Sequence, residues 1–369
     1  MGENLFEEEL TVEALSEMGN PLERLSKKVD FEMFRLDLED TLLTKEGQER
    51  SRTQAHRCCS DVQSHIPSTL LWFGRPSDSV PDNRPHDYFC PATKVRQFLG
   101  IHTVDEVPDE KTVWACKNRL AENGTFDRLF DRFRSYLDSL GLSFNEGKII
   151  DATFVEAPRQ HNTHEENKQI KEGNGSSLWQ AEAGDSDKEK KRKAHKRSHK
   201  DIDARWTKKR GEKHYGYKDH VKADKKTKLI EKYHTTDASV HDSNVIEPLI
   251  EDKDKGQNLW LDAGYVGKEE DVTKWGMNPI ICEKGYRNHP LTDEQKKNNR
   301  EKSHTRCLVE HIFGFVEGAM NGSFVRSIGI VRAKASTALT CLVYNIFRYE
   351  QLCRCQPAIV EKALASVRG

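Results

Sequence analysis

The stretch Lys148-Ile149-Ile150-Asp151-Ala152-Thr153 sits near the middle of the chain. A β-branched apolar run ends on a carboxylate, Asp151. The arrangement recurs in Leu259-Trp260-Leu261-Asp262-Ala263-Gly264-Tyr265. Apolar runs bounded by polar residues read as buried strands. Asp is a poor strand residue, so it fits where a strand runs out into a cleft. A third acid, Glu310, lies in Arg306-Cys307-Leu308-Val309-Glu310-His311-Ile312-Phe313-Gly314. There Leu308, Ile312 and Phe315 recur at helical spacing, with Arg306 and Glu310 four apart on another face. The spacing offers Glu310 from a helix, with Arg306 one turn earlier to orient it.

Three converging carboxylates repel one another and raise each other's pKa. A divalent cation removes that penalty. Carboxylate oxygens suit Mg²⁺, which keeps water or phosphate in its remaining positions. A pair of such ions activates a nucleophile and stabilises the leaving oxygen in phosphodiester chemistry. The bland alternative is that each acid caps an element or pairs with a surface base.

At these residues the chain resembles the insertion-sequence transposases of the IS-five type. The matching text is IIDATFVEAPRQ, DARWTKKRGEKHYGYKDHV, HDSNVIEPLI, LDAGYVGKE, RCLVEHIFGFVEGAMNGSFVRSIGIVRAKA and LVYNIFRYEQL, which covers most of residues 95–352. The resemblance implies an α/β fold. Its RNase H-like catalytic core would be a mixed sheet flanked by helices, preceded by an N-terminal, mainly helical domain. It implies that Asp151, Asp262 and Glu310 are an Asp-Asp-Glu triad holding Mg²⁺ or Mn²⁺. It also implies DNA strand cleavage at transposon ends, followed by attack of the freed 3′-hydroxyl on target DNA. Double-stranded DNA, as terminal inverted repeats and target, is then the partner, with a homodimer in the DNA complex. The broader superfamily carries Tyr-x₂-Arg-x₃-Glu-x₆-Lys around the third acid. Arg306 and Glu310 fit this pattern, while Ser303 stands for the Tyr and Glu317 for the Lys. A hydrolytic nuclease with the same triad, or a DNA-binding remnant impaired in end recognition, are the competing readings.

The 369 residues are 32% charged and 35% hydrophobic, enough chain for two or more domains. No run reaches the roughly 18 apolar residues of a membrane helix, and MGENLFEEEL lacks the features of a signal peptide. The expectation is a cytoplasmic, nucleoid-associated protein with no membrane contact. Nine cysteines, among them Cys58-Cys59 and Cys353-x-Cys355, show no disulfide framework and no zinc spacing. The net charge of −1 hides an asymmetry, because residues 1–50 carry 14 acidic and 6 basic side chains.

Along the chain, residues 1–20 read as an acidic tail and 21–145 as the N-terminal helical, DNA-binding type of domain. Within it, Leu22, Leu25, Phe31, Phe34, Leu38 and Leu42 have helical spacing. A helix start is expected at 108–113, and another helix from Phe126 to Leu140, stopped by Gly141. Residues 146–352 read as the catalytic domain and 353–369 as a C-terminal tail. Residues 157–204, with the run from Lys188 to Lys200, read as a basic, flexible insertion. Such an arm would lie along the DNA backbone through residues such as Lys193 and Arg197. Residues 214–224 and 228–235 read as a hairpin, and Asp242 or Ser243 as the cap of an apolar helix through Val245, Leu249 and Ile250. Asp224, in that hairpin, is the rival to Asp262. A short strand is expected at 278–282, and a sheet-packing helix from Leu339 to Leu352. Lys218, Lys222 and Arg306 are the candidates for phosphate contact.

Residues 47–92 break every periodicity and are rich in Ser, Arg, His and Pro. Back-translated from the second base of each codon, Trp72-Phe73 must give Gly. The stretch 55–78 then permits a run resembling the family's N-terminal helical domain. An out-of-frame segment, irregular in structure, is the expectation.

Overall fold

A computed structural model describes residues 21–42 and 109–368, apart from positions 183, 210, 287 and 288. The segment 47–92 and the tail 1–20 lie outside the described residues. Among those described, no helix is long and apolar enough to cross a membrane.

The N-terminal part is helical. Helices α1 (Pro21–Lys28) and α2 (Arg35–Leu42) are separated by a single 3-10 turn capped by Asp30. Helices α3 (Glu110–Glu122) and α4 (Thr125–Ser139) follow, and Asp109 caps α3 through the Thr112 N–H at 2.7 Å. Apolar residues at three- and four-residue spacing on α4 bury Phe126, Leu129, Phe130, Phe133 and Leu137 on one face. Phe133 stacks tilted on Phe34 and edge-on against Tyr349.

The rest is a mixed sheet with helices on both sides. Its strands are β1 (Lys148–Glu156), β2 (Arg205–Lys209), β3 (Glu212–Asp224), β4 (Ile230–Asp237), β5 (Asn258–Leu261) and β6 (Asn278–Ile281). The order is β2-β3-β1-β5-β6, with β4 also paired to β3. β3 runs antiparallel to β1, β2 and β4, while β5 runs parallel to β1 and β6. Period-2 alternation explains how β1 serves two layers. Ile149 faces the main core beneath α9 (Ile330–Cys355), while Ile150 faces a second cluster with Ile246, Leu249, Leu259, Leu261 and Tyr265. Burial on both faces requires the near-continuous apolar runs seen in β1 and β5.

Helix α8 (Asp293–Gly318) begins with a capping box, Thr292 with Gln295, and buries Val309 and Ile312. It packs on β1 and β5, and α9 packs on β4, α3 and α4. Asn345 of α9 is fully buried, and its amide closes on both backbone groups of Ile230, at 2.8 and 2.7 Å. That pair locks the helix to the sheet and leaves neither edge group of Ile230 unpaired. Gly216 lets β1 and β3 approach. It has φ +147°, and a Cβ there would meet the Val155 carbonyl oxygen at 2.3 Å.

Three expected segments come out differently. Residues 157–204 are not one unstructured arm. They fold into α5 (His164–Lys171) and α6 (Asp187–His199), each opened by a capping box, Thr163 with Glu166 and Ser186 with Glu189. The apolar helix expected after His241 is a pair of 3-10 turns, Asp242–Asn244 and Glu247–Leu249. Pro248 interrupts it, and His241 rather than Asp242 or Ser243 provides the cap. The C-terminal tail contains α10 (Pro357–Arg368), which packs on α9 and buries Ala363. A short helix α7 (Glu269–Lys274) covers β6.

Candidate active site

The parallel ladder places the first two acids. Lys148 pairs with Leu259 and Ile149 with Trp260, so two steps on the register brings Asp151 abreast of Asp262. β5 stops at Leu261, and Asp262 caps the next turn by accepting the Gly264 N–H at 2.7 Å. β1 continues to Glu156, past the end of β5, and only at Glu156 does this edge pair again on a new partner, with its N–H on the Ser323 carbonyl and its carbonyl taking the Val325 N–H. Asp151 is therefore in the middle of its strand, not at its end as Asp262 is. An open cleft lies at this edge, lined by both aspartates and by Glu310, Arg306, Lys209 and His214.

Glu310 comes from α8, as the spacing predicts. Arg306, one turn before it, donates Nη1–H to Asp151 at 2.9 Å and Nη2–H to Glu310 at 2.6 Å. The guanidinium thus ties two of the three acids together. The Asp151 carboxyl is pushed up to about 6, first by burial and then by the Asp262 carboxylate. The Ala152 N–H, Arg306 and Lys209 act against that rise. For Arg306, burial works against the charge, but Asp151 and Glu310 outweigh it and raise its pKa.

The donor set is all carboxylate oxygen, the set that suits hard divalent cations. Repulsion between Asp151 and Asp262 is the cost that a cation would relieve, so these residues fit a metal. The tightest acidic cluster among the described residues is elsewhere. Glu231, Glu251 and Asp254 offer oxygens within 4.8 Å of one another. The Lys222 ammonium already sits among them, at 3.6, 2.8 and 2.6 Å. That cluster is a charge-compensated structural network.

This placement corrects the expectation for Lys222, which is fully buried and cannot reach a phosphate. Lys218 is corrected for a similar reason. Its side chain is 9% exposed and its ammonium is held by the Val240 carbonyl and Asp242 at 2.7 and 2.8 Å. A strand in a sheet covered on both faces buries its lysines, and only distant carboxylates make that tolerable. Asp224, the rival acid, is buried against Lys148 at 3.2 Å and takes the Thr227 N–H and hydroxyl. It does not line the cleft. On α6, Lys193 pairs with Asp185 at 2.8 Å, and Arg197 is exposed. Ser303 lines the cleft, and Glu317 is exposed further along α8.

Two cleft residues were not singled out from sequence. Lys209 and His214 face each other's strands in the β2–β3 hairpin, and His214 stacks on Phe154 with ring centroids 4.1 Å apart. The basic run around Gly211 was the signal that could have found them. Tyr265 is a third case. Its hydroxyl is buried with no hydrogen-bond partner among the described residues, close enough to Asp151, Asp242 and Asp262 to feel their charge.

A family model described as the transposase DDE domain matches residues 143–346, more than half of the chain. The chain is also 29% identical over 284 residues to the transposase for insertion sequence element IS1106 of Neisseria meningitidis serogroup B. That alignment covers 76% of this chain and 88% of the relative. No solved structure matches. The matched span contains all three acids, and a DDE domain works with divalent metal. With an RNase H-like mixed sheet carrying two of those acids abreast, the chain belongs to the DDE-domain transposases and acts as an enzyme on DNA.

Proposed function

We propose that Asp151, Asp262 and Glu310 are the catalytic triad of this transposase, cutting DNA at the ends of its element and joining those ends to target DNA. The observation that carries the assignment is the ladder that sets Asp151 abreast of Asp262, with Arg306 linking Asp151 to Glu310. Mg²⁺ or Mn²⁺, held by these three residues, would activate the attacking oxygen and stabilise the leaving one. The protein's own contribution is position and charge. β1 and β5 fix two carboxylates on rigid neighbouring strands, and α8 brings the third across the cleft. Arg306 compensates Asp151 and Glu310 in the free protein. With a cation held by the acids, the same guanidinium would be available to a phosphate in the cleft, which it suits by shape and charge. Lys209 supplies a further positive charge at the cleft mouth. Arg197 and Lys193 on α6 extend the basic surface to the DNA backbone.

The substrates are the terminal inverted repeats and a target duplex, and a homodimer brings two ends together. Short duplexes ending in the terminal repeat, incubated with Mg²⁺ and a supercoiled plasmid, test this. Joined products are expected. Cutting with no joining would make the protein a nuclease of the same fold.

A further inference from the structure

We infer that the β2–β3 hairpin is a two-stranded ribbon that enters the major groove of the duplex beside the cut site, using its outer face to bind DNA. The inference rests on the proposed function and deepens it by naming the element that holds the substrate.

The ribbon exists because β3 outlasts its other partners. β1 pairs with Gly216 through Asp224, and β4 with Tyr217 through Ala223. From Glu212 to Tyr215, β3 has β2 as its only strand partner. The sequence from Arg205 to Gly216 carries five basic residues and one acid, on a chain whose net charge is −1.

Alternation gives the two faces separate tasks. Thr207 and Lys209, with His214 and Glu212 opposite them, form one face, and Lys209, His214 and Glu212 line the catalytic cleft. There Lys209 lies opposite Glu212, so unlike charges meet. The other face carries Trp206 and Lys208, opposite Tyr215 and Lys213. On it Lys208 lies directly opposite Lys213, a like-charge pair of the kind that destabilises a sheet. Both lysines are exposed, and neither has an ion-pair partner among the described residues. Trp206 is 46% exposed beside them, and the Arg159 guanidinium lies 5.8 Å from its ring. Uncompensated like charges around an exposed aromatic fit a polyanion whose groove also offers an apolar group, the thymine methyl. A ribbon with strands about 4.8 Å apart fits a major groove about 12 Å wide. The opposite face lines the cleft, so a duplex gripped by the outer face lies next to the catalytic centre, one ribbon's thickness away.

Lysines on a hairpin also discourage edge-to-edge aggregation, and the test separates that role from DNA binding. The probe is a duplex carrying the element's terminal repeat, bound without divalent metal over a series of salt concentrations. Lys208→Ala with Lys213→Ala should lower the slope of log K against log salt by about 2, since each phosphate contact contributes about 0.9. Lys208→Arg with Lys213→Arg should restore it. The alanine pair should melt no lower than the wild type, because it removes a repulsion. End cleavage in Mg²⁺ should fall at low DNA concentration and recover at saturation. A wild type that cuts the end while the alanine pair keeps the full slope overturns the ribbon alone, and aggregation of that variant would then give the lysines their edge role. A wild type that does not bind the end duplex overturns the function on which the inference rests, and the ribbon with it.

Discussion

Replacing Lys222 with alanine should damage the fold and leave the DNA-binding mode of the folded fraction unchanged. Its ammonium lies 2.6 Å from Asp254, 2.8 Å from Glu251 and 3.6 Å from Glu231, and the side chain is 0% exposed. Glu251 keeps Arg134 at 2.7 Å and Glu231 keeps Lys148 at 2.7 Å. Asp254 has no other cation within ion-pair distance among the described residues. Removing one partner of a buried ion pair costs about 3–5 kcal/mol, a large share of the roughly 5–15 kcal/mol of a typical domain. The effect should depend on pH. Burial works to raise the Glu251 pKa, but the hydrogen bond and charge of Lys222, with Arg134, hold it down at about 2. A depressed carboxylate contributes stability above its ordinary range, and that stability is lost as pH falls through the folded value. The deficit of the variant should therefore be complete at pH 7 and shrink in acid as the carboxylates take up protons. Urea unfolding at pH 7 and pH 4, followed by far-UV circular dichroism, measures it. A Lys222→Ala protein within about 1 kcal/mol of wild type, with a shallower salt dependence of DNA binding, would refute the structural role and restore the phosphate-contact reading.

Other perturbations have equally definite outcomes. Asp219 is buried with no ion-pair partner among the described residues, accepts the Thr337 hydroxyl at 2.7 Å, and is pushed up to about 7 by burial. The raised value means folded-state stability falls as pH rises from the ordinary aspartate range to about 7, so Asp219→Asn should flatten the melting temperature across that window. Tyr265→Phe should be neutral or stabilising by up to about 1 kcal/mol, since its buried hydroxyl has no partner among the described residues, and a clear loss in a thermal melt would reveal one. Arg306→Ala should weaken end cleavage at least tenfold while divalent metal protects the variant from thermal unfolding more than it protects the wild type; equal protection would contradict the compensating role of the guanidinium. Reading the gene's nucleotides should reveal compensating insertions or deletions near codons 47 and 90, and stop codons in the alternative frame would end the out-of-frame proposal.

The acids were legible because each ends or interrupts a hydrophobic pattern with a residue that pattern disfavours. Ile149-Ile150 and Trp260-Leu261 announced strands, and Val309 with Ile312 set the inward face of α8 on either side of Glu310. What placed the acids together, the parallel pairing of β1 with β5, is a contact between residues more than a hundred positions apart, and no local pattern encodes it. Lys218 and Lys222 were misread because a lysine in an alternating strand looks solvent-facing. Their partners Asp242, Glu231, Glu251 and Asp254 become visible only in three dimensions. The helices of the insertion were within reach, since Thr163-x-x-Glu166 and Ser186-x-x-Glu189 are both capping signatures. High charge outweighed them, because a helix with no buried residue, as α6 is, leaves no apolar periodicity to detect. Pro248 was likewise a legible stop that the apolar spacing of Val245 and Leu249 obscured.

Whether Asp151, Asp262 and Glu310 together form the catalytic centre is measured by cleavage of a terminal-repeat duplex in Mg²⁺ with each alanine variant, alongside binding of the same duplex. Each of Asp151→Ala, Asp262→Ala and Glu310→Ala should bind the duplex as the wild type does and cut it at no measurable rate, because lost metal-centred stabilisation amounts to several kcal/mol. Near wild-type cleavage by any one of the three would remove that residue from the triad.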